Sequence, residues 1–293
     1  VFIIPFFIAK WLNNAKPAAV IETKQEIQPD PREILSRNKN IILDAKINTI
    51  SADQGLLNVV MTNSGPLSIT KNAVIMTTAN NSSRMFPIPS DSGDALRATY
   101  MQDLSLVLIL TSNGSILSFS PSVQKYSNNN INLAGLSGES LIGTYLTYLY
   151  VLDQKSNTIY RFPRADGGFG EKTKWLKDET SLAEAKDMAI DENIYAIENN
   201  SIIKFFKGVK VNISFEQSST PVHFDKIFTT PEMQFIYVLD IPNTRIVQYD
   251  KNGLLIAQFY NENLKNIYSF TVDEKNKIAY LATLLGLISM SLQ

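Results

Sequence analysis

The chain has no cysteine and one histidine among its 293 residues. The first absence excludes thiol catalysis, disulfides and thiolate metal sites, although it does not fix a compartment. The second removes histidine-cluster metal chemistry and leaves any catalytic triad to His223 alone. The Pro221–Phe224 stretch around that histidine reads as the approach to a strand. An excess of one charge is missing too: 27 Lys and Arg stand against 28 Asp and Glu, a net charge of −1. With no basic excess and no Lys/Arg block among aromatics, nothing draws the chain to nucleic acid. Glycine is sparse, at 13 residues, and clusters only in Gly167-Gly168-Phe169-Gly170. A phosphate cradle needs a strand before it and a helix after it. Here Glu171–Trp175 reads as an outer strand, so the cluster is expected to form a hairpin loop.

Long hydrophobic runs are lacking as well. Val1–Ala9 is nine apolar residues, short of the ~20 that span a bilayer. Lys10 and Trp11 just beyond it suit the headgroup layer and the membrane interface. Residues 12–39 are polar, carry Pro17, Pro29 and Pro31, and allow at most a helical turn at Pro31–Ser36. The expectation is therefore the end of a transmembrane helix at 1–11, a tether at 12–39 and a folded domain at 40–293. Lys10 and Lys16 lean towards placing that domain on the cytoplasmic side.

What the sequence does contain is a unit repeated six times. A β-rich apolar run ends in Thr, Asp or Glu, a Gly or Asn follows within a few residues, and an alternating run begins. The end residues are Thr62, Thr111, Asp153, Glu198, Asp240 and Thr283, at intervals of 49, 42, 45, 42 and 43. The first runs are short and apolar, as in strands buried on both faces. Gly65, Gly114, Asn157, Asn200, Asn243 and Gly286 stand where a tight hairpin needs a positive φ. The second runs alternate, as in Thr158–Phe162 and Arg245–Tyr249. A further strand precedes each pair (Asp187–Ile190, Lys226–Thr229) and another follows it (Val209–Ile213, Leu254–Gln258). Four strands in each of six repeats predict an all-β, six-bladed propeller with antiparallel blades.

The last repeat ends at Gln293 with no room for a fourth strand, while Asn40–Asp44 has no partner ahead of the first repeat. That N-terminal strand is expected to complete the last blade and close the ring. Residues 40–293 then give 254 residues, about 42 per blade, in agreement with the period.

Other motifs read as structure. Asp250-Lys251-Asn252-Gly253 starts like a calcium loop but lacks the later acidic ligands, and Asn-Gly suits a hairpin turn. Asp153, Glu198 and Asp240 share one repeat position with threonines, which favours turn capping over a carboxylate pair. Asp178–Ala185 reads as a short capped helix between blades.

Two repeats, Tyr150–Asp153…Asn157–Phe162 and Tyr237–Asp240…Asn243–Val247, resemble NHL-type propeller repeats, with their Ile-Tyr-Val-Ala-Asp-x-x-Asn-x-Arg-Ile pattern. Met188–Asp191 and Ile194–Ile197 match its first half. Thr replaces the Asp in three repeats, and the Arg occurs only at Arg245. The stretches Arg161–Glu171, Trp175-Leu176, Asp187–Asp191 and Lys226–Thr230 are similar to propellers at the C-terminus of bacterial membrane proteins, behind a PP2C-type phosphatase domain and one transmembrane helix. That likeness implies an extracytoplasmic sensor or adhesion module tethered to a cytoplasmic signalling enzyme; the propeller itself is expected to bind a ligand or protein, with no catalysis or cofactor of its own.

The innermost strands, which line a propeller's channel, are expected to begin near Lys46, Arg97, Lys186, Lys226 and Lys265. Cations there would focus field on an anionic ligand, such as an acidic glycan or phosphate polymer, or on an anionic protein. Against this stands pairing with neighbours such as Asp187 and Asp225. The competing reading is a secreted, calcium-dependent lactonase-like hydrolase; such propellers ring the channel with Glu, Asp and Asn, whereas these strand starts are cationic or apolar.

Overall fold

The computed structural model describes residues 40–77, 82–133 and 140–293, together with Glu33 and Arg37. The expected membrane-helix end at 1–11 and most of the tether lie outside these residues. No helix among the described residues is long and apolar enough to cross a membrane.

Six antiparallel sheets of four strands follow one another in the chain, and each is numbered here as a blade. Their innermost strands are Asn58–Thr62, Ala95–Met101, Leu141–Tyr145, Asp187–Ile190, Lys226–Phe228 and Ile267–Asp273. Each packs against the innermost strand of the next blade, and the sixth returns to the first. The chain is a six-bladed β-propeller.

The core lies between blades, which explains the near-continuous apolar character of the second strands. In Phe235–Asp240, Ile236 and Val238 pack with Tyr195 and Ile197 of blade 4, whereas Tyr237 and Leu239 pack with Phe270 and Leu281 of blade 6. Successive side chains of a strand point to opposite faces, and here both faces meet a neighbouring blade.

The ring is closed from the N-terminus, but by a different segment from the one expected. Ile47–Ser51 pairs antiparallel with Gly286–Ser291 and completes blade 6 (Ile47 opposite Met290, Thr49 opposite Ile288). Asn40 and Asp44, at φ of 57° and 56°, bound the stretch Asn40–Asp44 with left-handed residues. Only Ile41-Ile42 stays extended between them, and it adds to blade 5 as a fifth, parallel strand beside Gln258 and Phe259. Ala45 N–H then donates to Tyr260 O at 2.9 Å, and Asn261 Nδ2 to Ala45 O at 3.0 Å. The outermost strand Ile47–Ser51 carries exposed Asn48 and Thr49, so it has no apolar run to announce it.

Blade 1 also differs in phase. Asn58–Thr62 is its innermost strand, whereas the corresponding runs of the other repeats form second strands. Thr62 Oγ1 donates to Gly65 O at 2.8 Å, the same closure that Thr283 makes with Gly286 at 2.8 Å. One turn chemistry thus serves two different hairpins, and the repeat position alone does not tell them apart.

Asp178–Ala185 is not a helix. Its groups are spent on neighbours: Asp178 Oδ2 accepts Lys210 N–H, Asn157 Oδ1 accepts Leu182 N–H, and Glu198 Oε1 accepts Ser181 Oγ–H and Glu184 N–H. Leu182 and Ala185 are buried. Glu198 therefore fastens the link between blades 3 and 4, while Asp153 and Asp240 cap turns by accepting Ser156 N–H (3.1 Å) and Asn243 N–H (3.2 Å). The glycine cluster does form a small hairpin, Arg164-Ala165 against Gly168-Phe169. Asp250–Gly253 is the expected turn into the fourth strand, with Asp250 Oδ1 accepting Asn252 and Leu254 N–H, each at 2.8 Å.

Candidate functional site

The innermost strands pair on one side only, so their free edges surround the axis of the ring. They enclose a channel of about 350 Å³ lined by residues from all six blades. Side chains stitch neighbouring blades along its wall. Thr144 Oγ1 donates to Tyr100 O at 2.7 Å, Asn58 Nδ2 to Leu96 O at 3.4 Å, and Asp187 Oδ2 accepts Ile227 N–H at 2.9 Å. Val59 N–H donates to Ser269 Oγ at 3.3 Å across the seam between blades 1 and 6. These bonds satisfy polar groups that would otherwise be costly in a narrow wall.

Two of the five sequence-predicted cations line this channel: Arg97 and Lys226, both half-buried. Lys186 directly precedes the innermost strand of blade 4 but is exposed and outside the lining, and Lys265 is likewise exposed ahead of blade 6. Lys46 lies elsewhere altogether. It precedes Ile47–Ser51, the outermost strand of blade 6, so it sits at the rim; the phase of the first blade accounts for that displacement.

Two carboxylates near the lining cations accept backbone hydrogen bonds, and one of them, Asp187, lines the channel as well. Asp187 holds Ile227 N–H, while Asp225 accepts Ile241 N–H at 2.9 Å and lies 3.0 Å from His223 Nδ1. Among the described residues neither Arg97 nor Lys226 has an ion-pair partner. Partial burial removes part of the water around each cation, which favours a counter-charge brought by a ligand. Blades 2 and 5 are three steps apart in a ring of six, so the two cations stand on opposite walls.

Sequence reading missed other lining residues: Tyr268 near the start of the blade 6 strand, and Gln102, Asp103 and Glu232 in turns beyond the innermost strands of blades 2 and 5. The repeat marks strand starts and hairpin caps, and turn residues of this kind carry no periodic signal. Among the described residues no three His, Cys, Asp or Glu side chains come together in a way that would hold a metal ion.

No family model matches the chain, and no curated protein matches it. Solved structures do resemble it. A gluconolactonase of Xanthomonas campestris superposes with a TM-score of 0.60 at 10% identity, over 85% of this chain and 90% of that one. A chain of the nidogen/laminin complex gives 0.55 at 10% identity, over 74% and 84%. PorZ, a surface component of the type-IX secretion system of Porphyromonas gingivalis, gives 0.55 at 11% identity; 84% of this chain is covered, against 38% of PorZ. The likeness is one of fold. Both an enzyme and a protein-binding assembly use the same architecture, so function has to be argued from the channel.

Proposed function

We propose that this propeller is a non-catalytic binding module that captures the anionic group of a ligand or protein partner in its central channel, between Arg97 and Lys226. The observation that carries this reading is the pair of half-buried cations on opposite walls, with no ion-pair partner among the described residues. Low-dielectric walls focus the field of such charges on whatever enters. Polyphosphate and polygalacturonate are the probes of choice in isothermal titration. Arg97→Glu with Lys226→Glu is expected to abolish binding while leaving the melting temperature nearly unchanged. Unaltered binding by the double variant overturns the assignment.

The alternative, a calcium-dependent lactonase-like hydrolase, requires a ring of oxygen ligands in the channel. Arg97 and Lys226 share the lining with Asp103, Asp187 and Glu232, but among the described residues these acids do not gather as metal ligands, and a melting experiment decides: a calcium ion bound in the channel would raise the melting temperature.

In the cellular setting we propose the propeller is the extracytoplasmic sensor or interaction domain of a membrane-anchored signalling protein, with a PP2C-type phosphatase domain upstream. The apolar Val1–Ala9 run with Lys10 and Trp11, and the resemblance of Arg161–Glu171 and Lys226–Thr230, support this reading. Sequencing the gene upstream of Val1 tests the anchor and the phosphatase, and protease accessibility of the propeller in intact cells tests the side.

A further inference from the structure

In blades 2 and 5 the channel wall carries a cation near one end and an acid near the other, laid out in the same way. In blade 2, Arg97 stands near the start of the innermost strand and Asp103 in the turn after its end. In blade 5, Lys226 begins the innermost strand and Glu232 lies in the turn beyond it. The step is six residues in both cases, 97 to 103 and 226 to 232. All four residues line the channel, and none has an ion-pair partner among the described residues. Because blades 2 and 5 face each other, one end holds two cations together with the Asp187 carboxylate of blade 4, and the other holds two acids.

The separation matters. Six extended residues reach at most about 20 Å, and the strand from Arg97 to Met101 alone covers roughly 13 Å. Both lengths far exceed the roughly 4 Å of an ion-pair contact. The two ends therefore meet different groups of a ligand. A volume of about 350 Å³ drawn out over such a length is slender, suited to one extended chain and not to a compact molecule. The wall supplies a third constraint. Each innermost strand turns one edge towards the axis; side chains of neighbouring blades already bridge Ile227 N–H, Val59 N–H, Leu96 O and Tyr100 O, and the remaining edge groups can meet the amides of a peptide.

We infer that the channel takes a short extended peptide of small residues with both termini free, its carboxylate between Arg97 and Lys226 and its ammonium between Asp103 and Glu232. This deepens the anion-binding reading above and rests on it. A polyanion engages only the end that holds Arg97 and Lys226, whereas a free peptide engages both ends.

The test uses the full chain and one pentapeptide of glycine, alanine and serine in three forms: free, N-acetylated and C-amidated. Affinity is read by isothermal titration. C-amidation is expected to weaken binding about tenfold, the loss of a charge-assisted contact. N-acetylation is expected to weaken it about threefold, because Asp103 and Glu232 sit at an exposed rim where ion pairs count for less. Asp103→Asn with Glu232→Gln should erase the preference for the free over the acetylated form and keep the preference over the amidated form. Sensitivity to amidation alone overturns the two-ended inference and leaves the anion site standing. Binding of polyphosphate without binding of the free peptide does the same. Failure of both probes overturns both readings.

Discussion

Blades 3 and 5 carry the same sequence motif and use it differently. In both, an Asp ends the second strand and faces the residue five positions later: Asp153 opposite Thr158, and Asp240 opposite Arg245. In blade 5 the guanidinium is fully buried and every arm is engaged. Nε donates to Asp240 Oδ2 at 2.8 Å, Nη1 to Ser218 Oγ at 3.0 Å and to Gln258 Oε1, and Nη2 to Thr220 O at 2.8 Å and Pro221 O at 3.2 Å. One side chain thereby ties the second, third and fourth strands of the blade to the link arriving from blade 4. In blade 3, Thr158 occupies the equivalent place, and its buried hydroxyl makes no hydrogen bond to a described residue. The arginine of the NHL-like pattern is thus a fastener for the preceding link, and a blade without it must hold that link by other contacts.

The difference is open to measurement, beginning with the largest expected effect. Arg245→Met strands the Asp240 carboxylate in the core and should cost about 3–5 kcal/mol in urea unfolding. Adding Asp240→Asn should recover part of that loss; no recovery would mean the arginine acts by packing alone.

Gly253 is the next point of contrast. It has φ of 88°, and a Cβ there would lie 2.3 Å from Ser214 O. Gly253→Ala in blade 5 is therefore expected to cost about 1–3 kcal/mol. At Gly170 in blade 3 the nearest atom to a Cβ is 3.4 Å away, in Pro163, and thermal unfolding of Gly170→Ala should stay close to that of the parent.

Alkaline pH should sharpen the comparison further. Burial pushes the Tyr237 and Tyr249 hydroxyls up, Tyr237 being raised further by the nearby Glu274. Tyr150 in blade 3 is also raised by burial but opposed by Arg161. A raised folded-state value leaves stability intact below the unfolded value of about 10 and removes it above, as the unfolded chain releases its protons. Stability should hold to about pH 9 and then fall, by about 1.4 kcal/mol per buried tyrosine at pH 11. Tyr237→Phe and Tyr249→Phe should flatten that decline more than Tyr150→Phe; equal flattening would contradict the contrast. The smallest effect belongs to Thr158→Val, which removes a hydroxyl without a described partner and should lie within about 1 kcal/mol of the parent in urea unfolding, on the stabilising side if anything.

These residues also show what a reader of the sequence could and could not see. The second strands were legible because both of their faces are buried, and the period because each blade repeats one hairpin cap. Closure from the N-terminus followed from the missing fourth strand after Gly286–Ser291. The closing segment itself was hidden, since the outer strand Ile47–Ser51 is polar and exposed, whereas the apolar Ile41-Ile42 pairs with the neighbouring blade. Turn register was hidden too. Asn157 matches Asn243 by letter, yet the left-handed residues are Asn157 and Thr244, at 51° and 48°. Asn243 spends its side chain on Asp240 and Pro221 O. Within the channel, Arg97 and Lys226 were legible because their strands were in phase, and Lys46 misled because blade 1 was not. Asp103 and Glu232 lie in turns, where no periodicity singles them out.

The double attachment of residues 40–51 has a mechanical side. Tension applied through the N-terminus reaches the two-residue pairing of Ile41-Ile42 before it reaches the longer pairing of Ile47–Ser51. The first can peel from blade 5 while the ring stays shut. Only greater force would draw out the second strand and open the seam between blades 6 and 1. The propeller thus has a slack stage and a breaking stage in series, both set by where twelve residues of chain lie along its outer edge.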